Sequence, residues 1–208
     1  MLWMSNTTED PKKPAADDDM IYVEACRTGD TEAFAVLVER HSKKMLNIAC
    51  RILGDYDDAC DVTQEAFLAA FRALNSFKGE AKFSTWLYRI VLNFAKNRLK
   101  VRRSLTHREG AALDNVDGTT ACAVCSAASD DTDPARQMER REVEAQVQKC
   151  IDKLDNDYRE VLVLRDIQGL AYEEIRDVLQ IPDGTVKSRL SRARLAMKDC
   201  LKKVIGDL

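Results

Sequence analysis

Leu170 to Met197, LAYEEIRDVLQIPDGTVKSRLSRARLAM, decides the fold of this chain. An eight-residue helix over Tyr172–Leu179, a turn at Gln180–Asp183 and a second helix from Gly184 onward form a helix-turn-helix. Ile175, Val178 and Leu179 supply one half of its core, and Val186, Leu190, Ala193 and Met197, at i, i+4, i+7 and i+11, supply the other. The opposite side of the second helix carries Lys187, Ser188, Ser191, Arg192, Arg194 and Lys198, with Arg189 at its flank. Such a face offers hydrogen-bond donors to base edges and cations to phosphates. The plain alternative is a helical hairpin with a solvated basic face.

Upstream, Tyr158–Ile167 is expected to be the preceding helix, with Gly169 at its C-terminal cap. Val143, Val147, Cys150, Ile151 and Leu154 form an apolar stripe at spacings of three and four, so a helical domain begins near Arg136. Before it, Ser104 to Pro134 is rich in Ala, Ser, Thr and Asp, has no periodicity, and exceeds ordinary intradomain loops. This segment is expected to be a flexible acidic linker.

A second basic element lies before the linker: FSTWLYRIVLNFAKNRLKVRR, Phe83–Arg103. At about 100° per residue, Phe83, Leu87, Ile90, Val91, Phe94 and Val101 gather on one side. Arg89, Asn93, Lys96 and Lys100 gather on another, bordered by Trp86 and Asn97. From Trp86 to Arg103 the charges are all cationic. An amphipathic helix of this kind either contacts nucleic acid or is a solvated surface. The loop before it, NSFKGEAK at Asn75–Lys82, contains Phe77 and Lys78. Phe77 could stack with an extruded base or fold back as a core plug, and both readings remain open.

Toward the N-terminus, a helix from Asp55–Asp58 to about Leu74 places Thr63, Phe67, Ala70, Phe71 and Leu74 inward. Asp58, Asp61, Gln64, Glu65, Leu68 and Arg72 then line an exposed strip. Its first-turn acids suit the helix dipole, which explains Asp57 and Asp58 but not Leu68, so the strip is a candidate protein-binding surface. A helix before it, capped by Asp30 or Thr31, buries Phe34, Leu37, Val38, Met45, Ile48, Ala49 and Ile52 and ends at Gly54. His41 borders that stripe and is expected at a partly buried surface. Met20–Cys26 forms a short helix, and Met1–Asp19 is expected to be a disordered tail.

Of 208 residues, 45% are hydrophobic and 32% charged, which fits small globular domains. No stretch resembles a transmembrane span or signal peptide, so the expected location is the cytoplasm. The net charge of -3 conceals segregation: acidic blocks at Asp55–Glu65 and Glu109–Asp133 alternate with basic blocks at Arg89–Arg103 and Lys187–Lys203. Two basic patches on one tether suggest two contacts on a long polyanion. Seven cysteines, an odd number, argue against a closed disulfide framework, and most are expected to behave as small hydrophobes. Cys122 and Cys125 form a C-x-x-C without a full zinc ligand set. They are either a redox pair or ordinary linker residues. No metal, cofactor, small-molecule substrate or catalytic constellation is expected.

The residues also resemble a family. DVTQEAFLAAFRAL at Asp61–Leu74 followed by SFKGEAKFSTWLYRIVLNFAKNRL is similar to region 2, and Leu170–Met197 to region 4, of extracytoplasmic-function sigma factors in the sigma-70 superfamily. The resemblance implies an all-α protein of two small helical domains, residues 20–103 and 136–208, between a tail at 1–19 and a linker at 104–135. It implies a non-enzymatic transcription initiation factor that binds core RNA polymerase through Asp58, Asp61, Gln64, Glu65 and Leu68. Phe77, Lys78, Trp86, Arg89, Asn93, Lys96 and Asn97 would engage and open the minus 10 element. Lys187, Ser188, Ser191 and Arg192 would read the minus 35 element while Arg189 and Arg194 hold phosphates. The linker would thread through the polymerase, and an anti-sigma factor would hold the protein inactive. Arg176, Gln180 and Asp183 depart from the family pattern, as does Ser191. The rivals are a stand-alone helix-turn-helix regulator and a redox interaction protein built on the C-x-x-C.

Overall fold

The computed structural model describes residues 18–108 and 134–205, and among these every regular element is helical. In chain order they are α1 (Asp19–Arg27), α2 (Glu32–Leu53), α3 (Tyr56–Ala73), α4 (Phe83–Arg108), α5 (Pro134–Asp152), α6 (Asn156–Leu162), α7 (Tyr172–Leu179) and α8 (Asp183–Ile205). A 3-10 turn, Leu74–Ser76, follows α3, and a π turn, Val163–Ile167, continues α6.

In the N-terminal domain, α2, α3 and α4 pack against one another, and α1 lies across α2. The buried side of α2 runs through Leu37, His41, Met45, Ile48, Ala49 and Ile52, a helical spacing that hides one face from water. α3 presents Ala59, Val62, Ala66 and Ala70, small residues that let neighbouring backbones approach closely. Its N-terminus is capped by Asp55, whose carboxylate accepts from the Asp58 N–H at 2.8 Å.

In the C-terminal domain α8 is the spine, packing on α5, α6 and α7. The first helix of the helix-turn-helix has the expected bounds, and the second begins at Asp183, one residue earlier than expected. Glu174 accepts the Ala171 N–H at 3.0 Å, capping α7. Gln180 closes α7 in the left-handed region at φ 55°, a conformation that glycine adopts at lower cost. The departures at Arg176 and Asp183 answer each other: Arg176 pairs with Asp177 at 3.0 Å and reaches Asp183 at 3.9 Å.

The two domains share one contiguous hydrophobic core. Arg159, 6% exposed, is its polar rivet. Its guanidinium donates to the carbonyls of Ile151 (3.1 Å), Asp152 (2.5 Å) and Leu154 (3.2 Å) at the end of α5, and to Ile52 (2.6 Å) at the end of α2. Both helices thus meet a cation at their negative ends. Gln148 and Arg51 bridge the same seam at 2.9 Å. Gly54 ends α2 at φ +71°, and a Cβ there would stand 3.1 Å from the Asp152 carboxylate. The left-handed φ favours glycine at this position, and a side chain would press on that carboxylate.

Several expectations are corrected. Asp19 belongs to α1, not the tail: it is 7% exposed and its carboxylate holds His41 Nε2 at 2.7 Å, so His41 is a buried, partnered residue. The short polar start of α1 gave no apolar signal for this pairing. Phe71, expected inward, is 42% exposed, and Val101 and Val143 are also exposed. Leu92, Ala95 and Leu99 complete the buried side of α4 in place of Val101, and α4 extends past Arg103 to Arg108. The predicted helix Tyr158–Ile167 changes to π geometry at Val163. Cys150 and Cys200 are joined in a disulfide rather than being two small hydrophobes. Cys122 and Cys125 lie outside the described residues.

Arg159→Met keeps side-chain bulk but abandons four carbonyls, three of them buried. Charge-assisted and buried hydrogen bonds of this kind are together worth about 3 kcal/mol or more, so the melting temperature should fall by roughly 10 °C, checked by calorimetry.

Candidate nucleic-acid and polymerase interfaces

The candidate minus 10 residues sit on α4 and the loop before it. Phe77 is a core plug: only 4% exposed, its ring lies 5.9 Å from Phe83 and 5.0 Å from Trp86, centroid to centroid. It therefore lies packed beneath Trp86 rather than open to a base. Arg27 holds the loop backbone by donating to the Phe77 carbonyl. Lys78, Asn93 and Asn97 are exposed, whereas Trp86, Arg89 and Lys96 are half-buried.

Trp86 is covered by Phe77 and Phe83, whereas Arg89 and Lys96 share another cause. Lys82, Arg89, Lys96 and Arg103 recur every seven residues, so they form one stripe along α4, and the C-terminal domain covers it. Lys82 Nζ meets Glu174 at 2.9 Å, Lys96 Nζ meets Glu160 at 2.9 Å, and Arg103 donates to Asn156 at 3.1 Å. Arg89 faces a cleft shared with Arg176, Asp177, Gln180 and Ile181. Acids of one domain thus occupy the cationic stripe of the other.

The two acids differ electrostatically. Glu160 is 3% exposed, and burial pushes its carboxyl above the ordinary range despite the attraction of Lys96. For Glu174, partial burial opposes the charge, but hydrogen bonds from Lys82 and the Ala171 N–H outweigh it and hold its carboxyl below the ordinary range.

On α8, Lys187, Ser188, Ser191 and Arg192 are exposed together, while Val186, Leu190 and Ala193 are buried beneath them. The recognition face expected from the spacing is therefore presented on one side. The two candidate phosphate anchors are engaged within the domain: Arg189 meets Asp157 at 2.5 Å, and Arg194 takes Asp166 in a bidentate pair at 2.6 and 3.0 Å.

Asp61, Gln64, Glu65 and Leu68 line the exposed strip of α3, with Asp58 at its partly covered end. Arg98 gathers the acids, reaching Asp58 at 2.7 Å, Glu65 at 3.5 Å and Asp61 at 3.8 Å. Sequence reasoning assigned Arg98 no role, because its partners lie 33 to 40 residues away. Beside the strip, Phe34, Val38, Leu46, Phe67, Leu68 and Phe71 line an apolar groove between α2 and α3 of about 880 Å³. The exposed Phe71 and Leu68 are its lip. Among the described residues no group of side chains is placed to hold a metal ion, and no helix is long and apolar enough to cross a membrane.

Described elements that are all helical, with a helix-turn-helix, a second cationic helix and an acidic, leucine-bearing strip, define a two-domain DNA-binding transcription protein. Comparison with known proteins specifies the family. Sigma-70 region 2 matches residues 37–105 and Sigma-70 region 4 matches residues 144–197. The RNA polymerase sigma-H factor of Pseudomonas aeruginosa is 39% identical over 92% of this chain and 97% of that protein. The ECF RNA polymerase sigma-E factor of Escherichia coli K12 is 37% identical over 90% and 96%. The chain belongs to the extracytoplasmic-function RNA polymerase sigma factors, and so is a transcription initiation factor. Among solved structures, CnrH in complex with the cytosolic domain of CnrY is similar, with a TM-score of 0.64, 28% identity and coverage of 90% of this chain and 99% of that one. The sigma factor RpoE of Bartonella quintana, solved with the anti-sigma factor NepR, shares the fold with a TM-score of 0.63 at 22% identity, covering 83% of this chain and 98% of that one.

Glu160 gives a pH prediction. Its folded value lies above the ordinary 4.5, so the folded state binds more protons than the unfolded chain in the interval between them. Stability must fall as pH rises through that interval and stay reduced above it. Glu160→Gln should therefore be more stable than the native chain at pH 7, equal to it near pH 4, and flatter in between, as read by urea titration at each pH.

Proposed function

We propose that this sigma factor acts in the cytoplasm, binding core RNA polymerase through the strip on α3, with Asp61, Gln64, Glu65 and Leu68 exposed for that contact and Arg98 setting the carboxylates. The core enzyme supplies the phosphodiester chemistry. The exposed set Lys187, Ser188, Ser191 and Arg192 would read duplex DNA at the minus 35 element. Lys78, Trp86, Arg89, Asn93, Lys96 and Asn97 would hold the minus 10 element, with Phe77 supporting Trp86 from below. The single observation carrying this reading is the presence, in one chain, of a helix-turn-helix with an exposed cationic face and a second cationic helix in the other domain.

The covered stripe on α4 adds a condition. Glu160 and Glu174 stand where backbone phosphates would neutralise Lys96 and Lys82, so the domains must part before α4 meets DNA. Arg189 and Arg194 must likewise exchange Asp157 and Asp166 for phosphates. An anti-sigma factor that bridges the closed domains, or covers the apolar groove beside Leu68, would keep the protein inactive. The similar CnrH was solved in complex with a protein partner, the cytosolic domain of CnrY, which is in keeping with control by a bound protein.

The test is run-off transcription with purified core polymerase and a pool of genomic fragments. The native chain should yield discrete transcripts, and Asp61→Arg with Gln64→Ala should lower them at least tenfold. Salt-sensitive duplex binding by the chain alone, without polymerase-dependent transcripts, would favour a stand-alone regulator. Donor and acceptor dyes at exposed positions on α3 and α8 should move apart when core polymerase is added. An unchanged transfer efficiency in a transcribing complex would remove the opening step.

A further inference from the structure

Cys150 lies on the buried side of α5 and is 1% exposed, whereas Cys200, near the end of α8, is half-buried. Their Cα atoms are 5.7 Å apart and their sulfurs are bonded, a separation that a disulfide spans without backbone movement. A DNA-bound transcription factor works where thiol reductants keep most cysteines reduced, and disulfides found there are usually transient and redox-sensing. The placement is also mechanically specific. One turn before Cys150 is Val147, and Ile151 follows it; Met197 and Leu201 flank Cys200. These four residues, with Leu162 and Ile167, line an apolar groove of about 570 Å³ between the two helices. A bond there ties the far end of the DNA-reading helix to the first helix of its domain.

We propose that Cys150 and Cys200 are a reversible oxidation site for hydroperoxides, and that the bond clamps α8 onto α5. The half-buried Cys200 meets the oxidant first. Its thiolate attacks one peroxide oxygen, forming an S–O bond and breaking the O–O bond. The other oxygen takes a proton and leaves as alcohol, or as water from hydrogen peroxide. The Cys150 thiolate then attacks the Cys200 sulfenic acid, the S–S bond forms, the S–O bond breaks, and hydroxide leaves as water with the second thiol proton. Two thiols lose two electrons, and the peroxide is reduced by two. A dithiol reductant reverses the change.

The site stands apart from the roles assigned to the polymerase and DNA faces, and its test needs neither. The full chain, reduced with dithiothreitol and freed of it, is treated with stoichiometric hydrogen peroxide and digested for peptide mapping. The expected product is the Cys150–Cys200 linked pair, with the melting temperature raised by roughly 8 °C and amide exchange slowed in the last turns of α8. Cys200→Ser and Cys150→Ala should each abolish all three changes, whereas Cys122→Ser with Cys125→Ser should keep them. In glutathione buffers the linked fraction should rise from near zero to near complete as the oxidised share increases. Failure of the linkage to form, or its persistence in the most reducing buffer, would each overturn a reversible site.

Discussion

The arrangement of the two domains depends on a buried arginine. Arg159 sits where α2 and α5 both end, and each helix end carries carbonyls with no partner of their own. Only a fork of donors can satisfy carbonyls from two helices at once, and Arg159 does so with four hydrogen bonds. Burial draws its proton affinity below the ordinary arginine range, yet nearby Asp152 favours the charge. Gly54 leaves the room for Asp152. The seam is therefore set by backbone geometry as much as by apolar contact.

From this seam the rest of the closure follows. With the ends of α2 and α5 fixed, α6 and α7 fall along α4, and the seven-residue stripe of cations meets Glu174, Glu160 and Asn156. These contacts differ in strength. Lys82 and Glu174 are partly solvated, so their pairing is worth little by itself. Glu160 is buried, and burial disfavours its charge. A closed form held in part by a strained acid is suited to opening when a polyanion or a large partner competes.

Much of the candidate site was legible because its signals are local. The helix-turn-helix bounds follow from the spacing of Ile175, Val178, Val186 and Leu190, and the exposed set on α8 is the complement of that spacing. The strip on α3 follows in the same way. The errors fall where a residue's partner is distant in sequence. Phe71 and Val101 have apolar side chains at core spacing yet stay largely open to solvent, although the Phe71 ring packs against Phe34 at 4.9 Å. Asp19 and His41, 22 residues apart, become a pair only when α1 crosses α2. Phe77 stayed ambiguous because an aromatic in a polar loop gives no sign of whether Phe83 and Trp86 lie above it.

The sequence by itself determined the helices, the division into two basic elements, the exposed polar face of α8 and the family, because periodicity and short motifs act within a few turns of one helix. Tertiary structure alone decided that the domains close on each other, that Lys82 and Lys96 are occupied by acids, that Arg98 organises the α3 carboxylates, and that Cys150 meets Cys200. Each of these joins residues tens of positions apart. Their juxtaposition depends on how helices of fixed character stack, and no one-dimensional pattern encodes that stacking.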